Sequence, residues 1–128
     1  MGQQLLDLEI IESIRDVGDV RDSDGFAREL FDLFSEQSDL AVRELTSAVS
    51  RDDLAQVRYF AHRLKGSAAN IGARALSRQA EELENVARGD GDGESLRGLT
   101  VSLGKLREES LRALAASLLG SPSAEAST

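Results

Sequence analysis

The sequence has no cysteine and no tryptophan, and only one proline, one histidine, one tyrosine and four phenylalanines among 128 residues. Without cysteine there are no disulfides, no thiolate nucleophile and no cysteine-ligated zinc. A catalytic zinc centre is also disfavoured, since one histidine cannot supply its usual ligand set. Scarce aromatics leave leucine, isoleucine, valine and alanine to form the core, and their company of glutamate and arginine favours helices. Long apolar runs are missing too. None approaches the roughly 20 residues that cross a bilayer. The opening Met1, Gly2, Gln3, Gln4 and Leu5 lack the basic and apolar regions of a secretory leader. A soluble chain in a reducing cytoplasm is the expectation. Positive charge is in deficit, with 15 Lys and Arg against 23 Asp and Glu and a net charge of −8. Phosphate backbones and anionic lipid repel such a chain, so neither nucleic acid nor membrane is an expected partner.

What is present is helical periodicity. At this length one domain is expected. A first short helix is predicted over about Asp7 to Val17, capped by Asp7 and stopped at Gly18, with Asp19 to Asp24 as a charged connector. The second segment runs from about Gly25 to Val49, capped by Ser23 or Asp24. Its stripe is read as Phe26, Leu30, Leu33, Phe34, Leu40, Ala41, Leu45 and Ala48, with Gln37 as a polar intruder on it. The third, from about Asp52 to Asn70, carries Leu54, Val57, Ala61, Leu64, Ala68 and Ile71 at steps of three and four, and Gly72 is placed to end it at positive φ. The fourth, Ala73 to Arg88, carries Leu76, Ala80, Leu83 and Ala87. A glycine-rich loop follows from Gly89 to Gly93. The fifth, about Glu94 to Leu119, carries Leu96, Leu99, Leu103 and Leu106 and then shifts register to Leu111, Leu114 and Leu118. The expected fold is all-α: an up-down-up-down four-helix bundle over residues 1–119 with a short extra N-terminal helix over one end, and a flexible tail at 120–128.

The third segment holds the only histidine. His62 lies one residue, about 100°, beyond Ala61 and off the apolar line. It shares its face with Arg58, Lys65, Gly66 and Ala69. None is a large apolar side chain, so His62 is predicted to face solvent. Gly66 costs a helix interior roughly 0.5–1 kcal/mol relative to alanine. One turn after His62, it removes the side chain that would stand beside the imidazole, and opens the way for another protein. Arg58 and Lys65 bring positive charge to that face of an acidic chain, as a phosphorylated ring would require. An imidazole is largely neutral near pH 7 and nucleophilic without a dedicated base. The ordinary alternatives are a plain surface histidine, a glycine kept for helix packing, and solvated charges.

Ala61, His62, Arg63, Leu64, Lys65, Gly66, Ser67, followed by Ala68, Ala69, Asn70, Ile71, Gly72 and Ala73, resembles the signature of bacterial histidine-phosphotransfer (HPt) domains of two-component phosphorelays. Leu76, the Glu82, Leu83, Glu84 segment and the upstream Phe31, Asp32, Leu33, Phe34 are similar to the family as well, so that the resemblance covers roughly Leu5 to Arg112. It implies a four-helix bundle with His62 as the phosphorylated residue, supported by Lys65 and Gly66. Its partners would be receiver domains of response regulators or hybrid histidine kinases, which supply the Mg²⁺, with no cofactor of its own. Some members add a polar or basic residue from a neighbouring helix, for which Gln37, Gln79 and Arg88 are candidates here. An enzyme is not expected. There is no P-loop, kinase glycine loop or Gly-x-Ser-x-Gly elbow, and the position three before His62 is Tyr59 where di-metal bundles carry glutamate. A helical adaptor that docks receivers or kinases without carrying phosphate is the second reading. A monomer is expected.

Overall fold

The computed structural model describes residues 4–89 and 92–120, with the backbone alone for residues 18–24. Four helices account for nearly all of it: α1 (Leu8–Ser50), α2 (Leu54–Ile71), α3 (Arg74–Arg88) and α4 (Gly93–Leu119). No strand occurs among the described residues. Helix α1 packs against α2 and α4, and α3 packs against the same two, so the four surround one core.

Aspartates start three of the helices. Asp7 accepts from the backbone of Glu9 and Ile10, Asp53 from Gln56, and Asp92 from Glu94 and Ser95, each taking up amides that the first turn leaves without a carbonyl. Hydrogen bonds from Ser95 and Glu94 hold the Asp92 carboxyl below its ordinary value. Gly72 ends α2 at φ 87°, in the left-handed region that the sequence reserves for it.

The expected stop at Gly18 does not occur: the first two predicted segments form one continuous element, α1. A glycine costs a helix about 1 kcal/mol but breaks no hydrogen bond, and residues 19–24 contain no proline to do so. The first turns of α1 nevertheless cover one end of the bundle. Asp7 N donates to Gly72 O at 2.8 Å and Ala75 N to Leu5 O at 3.2 Å. Ile11 lies against Gly72, while the adjoining Ile71 shares a small cavity with Leu30 and Phe34. On a straight axis Ile11 and Leu30 would stand about 28 Å apart. The N-terminal turns and the remainder of α1 therefore do not share one axis. The predicted caps Ser23 and Asp24 have side chains outside the described residues, as do the middle of the glycine loop (90–91) and the tail (121–128).

Two stripes differ from the expected ones. On α1 the buried line is Ala27, Phe34, Ser38, Ala41, Leu45 and Ala48; Ser38 is fully buried, whereas Gln37, Leu33 and Leu40 are exposed. Gln37 therefore does not sit on the core stripe. On α4 there is no shift of register. Leu96, Thr100, Leu103, Ser110, Leu114 and Leu118 make one line, with Arg107 between Leu103 and Ser110. Arg107 Nε donates to Ser38 Oγ at 2.8 Å and its Nη2 to Ser35 O at 3.0 Å, tying α4 to α1. Polar residues that satisfy one another inside a seam are invisible to a search for leucines.

Candidate functional site

Helix α2 buries Val57, Ala61, Leu64, Ala68 and Ile71 and presents the opposite face to solvent. The alanines of this line, with Ala80 and Ala87 of α3, are nearly or fully buried and let α2 and α3 approach closely. Ser77 Oγ of α3 donates to Lys65 O at 2.9 Å and fixes the two helices one turn beyond His62.

His62 stands at the rim of that packed face with its side chain 64% exposed. Its ring turns toward α3, where Nδ1 lies 3.0 Å from Glu84 Oε2. Glu84 is the residue that sequence reasoning missed. Its side chain is only 3% exposed, yet it meets three groups: His62 Nδ1, Arg88 Nη2 at 2.9 Å on the same oxygen, and Lys65 Nζ at 3.3 Å on Oε1. Burial alone pushes this carboxyl up. The contacts and charge of Lys65 and His62 outweigh burial, and the group is held below its ordinary value. Glu84 is thus a carboxylate that can only accept. A signal existed in the sequence: Glu84 is four residues after Ala80 and three before Ala87, on the buried side of α3, with Arg88 one turn on.

The other predicted residues divide. Lys65 belongs to the cluster. A Cβ on Gly66 would meet nothing within 4 Å, so the surface beside His62 is open. Arg58 reaches across to α3, where its Nη1 donates to Ala87 O at 3.4 Å, a carbonyl of the last turn. Its charge stays near the cluster, but no contact joins it to His62. Arg88, considered only as one of three candidates, binds Glu84. Gln79 accepts from Ser102 Oγ at 3.3 Å and ties α3 to α4. Gln37 lies on the other side of α2, lining a shallow depression with Leu40, Phe60, Arg63 and Ser67. Its place is apart from the Glu84 cluster. Tyr59, one turn before His62, accepts from Arg63 Nη1 at 2.9 Å on the exposed face.

The site is an exposed imidazole backed by a buried carboxylate that Lys65 and Arg88 also contact, in a chain of net negative charge. The chain matches the family model of the Hpt domain over residues 29–118, and it belongs to that family. Neither a curated protein nor a solved structure matches it. Hpt domains act in phosphotransfer within two-component signalling as phosphocarriers and interact with receiver domains. No helix of the described residues is long and apolar enough to cross a membrane.

Proposed function

We propose that this protein shuttles a phosphoryl group between receiver-domain aspartates through phosphorylated His62. The observation that carries this reading is the exposure of His62 beside Gly66, where the added Cβ would touch nothing. A receiver domain must bring its aspartyl phosphate within bonding distance of the ring, and a side chain at position 66 would stand in its path. In the forward step a lone pair of the imidazole attacks phosphorus. The nitrogen–phosphorus bond forms as the bond to the aspartyl oxygen breaks, and aspartate leaves as carboxylate. The reverse of the same step hands the group on. No proton has to move if the attacking nitrogen is unprotonated. The receiver supplies its own Mg²⁺. This chain supplies the nucleophile, the clear approach, and the charge of Lys65, with Arg58 adding a longer-range contribution. We assign Gln37 at most a place at the edge of the docked partner.

In this reading residues 1–119 form the carrier, and its helices alternate up and down because the connections span only residues 51–53, 72–73 and 89–92. Incubation with a phosphorylated receiver should transfer label to the wild type, acid-labile and base-stable, and none to His62→Gln. Equal labelling of both proteins, or of neither, contradicts the carrier reading and favours the adaptor.

A further inference from the structure

We infer that the exposed face of α4 is a self-association surface, on which two copies of this chain pair antiparallel about a two-fold axis between Leu99 and Thr100. The surface lies apart from His62, so the inference does not rest on the carrier reading.

Three observations converge. First, Gly98 is exposed in the interior of α4, and a Cβ there would meet nothing within 4 Å. Glycine weakens a helix interior relative to alanine, and no neighbour inside the bundle needs the room it leaves. Second, Val101, one turn on, is 61% exposed and lies outside the apolar stripes that build the core. Arg97 folds back over Gly93, where a Cβ would lie 3.3 Å from its Nη1, and so leaves the ground between Gly98 and Val101 bare. Third, this bare step is framed by opposite charges. Glu94, Gly98, Val101 and Lys105 are all exposed and follow one another at steps of four, three and four. Such steps keep them within about 60° of one another on one face. Neither Glu94 nor Lys105 forms an ion pair among the described residues.

The spacing of these four residues reads the same in both directions. Inverting a second copy against the first sets Glu94 of one opposite Lys105 of the other, and Gly98 opposite Val101. The two kinds of contact fall about 8 Å and about 2 Å along the helix from the axis. Each occurs twice, as a two-fold interface requires. Valine fills the room that glycine leaves, which lets the two helices approach to the near end of the roughly 8–10 Å range of packed pairs. Acid faces base at both ends of the seam. A parallel pairing would instead set Glu94 against Glu94 and Lys105 against Lys105. Because α4 packs against α1 and α3, it stands across the core from α2, and the pairing leaves His62 of both copies open. Three turns of helix make a small surface, below the roughly 1,200 Å² of a stable interface, so the pair is a transient one.

Sedimentation velocity over about 10 µM to about 1 mM covers the range in which so small a surface associates. Salt at about 0.15 M, with a Debye length of about 8 Å, screens the repulsion between two chains of net charge −8. The wild type should rise from the mass of one chain toward that of two. Glu94→Lys sets like charges together at both ends of the seam and should weaken association by roughly 10-fold or more, and Lys105→Glu should do the same. An equimolar mixture of these two variants has opposite charges across the seam again and should associate as the wild type does. In the wild type alone, amide chemical shifts should move with concentration around Gly98 and Val101. A wild type that stays monomeric to about 1 mM, association that neither reversal weakens, a mixture that stays apart, or shifts centred on another face each overturns the inference. The wild-type shifts are read without any variant, so a reversal that unfolds the chain leaves the test standing.

Discussion

Glu84 and Lys65 show how one buried charge makes a residue's contribution depend on pH. The carboxyl is held below its ordinary value, so it stabilises the fold above the unfolded-state pKa and loses that contribution as pH falls through the lower folded value. Lys65→Ala removes the closest charge on Oε1 and lets burial raise the Glu84 pKa. The variant should therefore lose about 1–3 kcal/mol of stability at neutral pH, the cost of weakening a buried pair with other partners left. The gap should close in strong acid, once pH has fallen through the lowered folded value and the carboxyl is protonated with or without Lys65. Urea unfolding at both pH values checks this; a gap that widens in acid contradicts the assigned charge. The sequence made His62, Lys65 and Gly66 legible because their helix has an unbroken period and a motif. Glu84 was passed over although its spacing from Ala80 and Ala87 marks the buried side of α3, since a glutamate beside Glu81 and Glu82 reads as solvated charge.

Two glycines of helix α2 and its cap make opposite demands. Gly66 faces open space, so Gly66→Ala should raise stability by about 0.5–1 kcal/mol, as expected for an exposed helix interior. Gly66→Leu should leave the circular dichroism spectrum unchanged yet slow transfer from a receiver by roughly 100-fold, the penalty attached to displacing reacting groups by about 1 Å. Unchanged transfer would refute the close-approach argument. Gly72 is the reverse case. At φ 87° an added Cβ would lie 3.1 Å from Ile11 Cδ1 and 3.3 Å from both Asp7 O and Ile10 Cβ. Gly72→Ala should destabilise the protein by about 1–2 kcal/mol from the backbone alone, with crowding in addition. A melting temperature equal to wild type would show that the N-terminal turns are not seated there. At this scale sequence reading located α2, α3 and α4 closely. It misjudged α1 at Gly18 because a glycine lowers helix propensity without ending a helix. It also took Leu33 and Leu40 for core where Ser38 is the buried residue. Leucine and serine exchange their usual places when a neighbouring helix offers Arg107 as partner.

Across the whole molecule, an acidic surface is interrupted on one flank. Lys65 and Arg88 meet Glu84 beside His62, Arg58 reaches the last turn of α3, and the one acid in direct contact with the ring, Glu84, has its charge buried and shared. In the proposed function a phosphorylated receiver would bring its negative charge to this flank, which would attract it where the rest of the chain does not. The four-helix core serves that flank by fixing α2 against α3, which sets the spacing of His62, Lys65 and Glu84. The most direct test of the account follows the phosphoryl group through the protein. Wild-type protein charged by one phosphorylated receiver is isolated, digested and sequenced by mass spectrometry at alkaline pH, then mixed with a second, unphosphorylated receiver. The account predicts the added mass on the peptide containing His62 and nowhere else, and its loss as the second receiver's aspartate gains it. Label on another residue, or label on His62 that no receiver can remove, would contradict it.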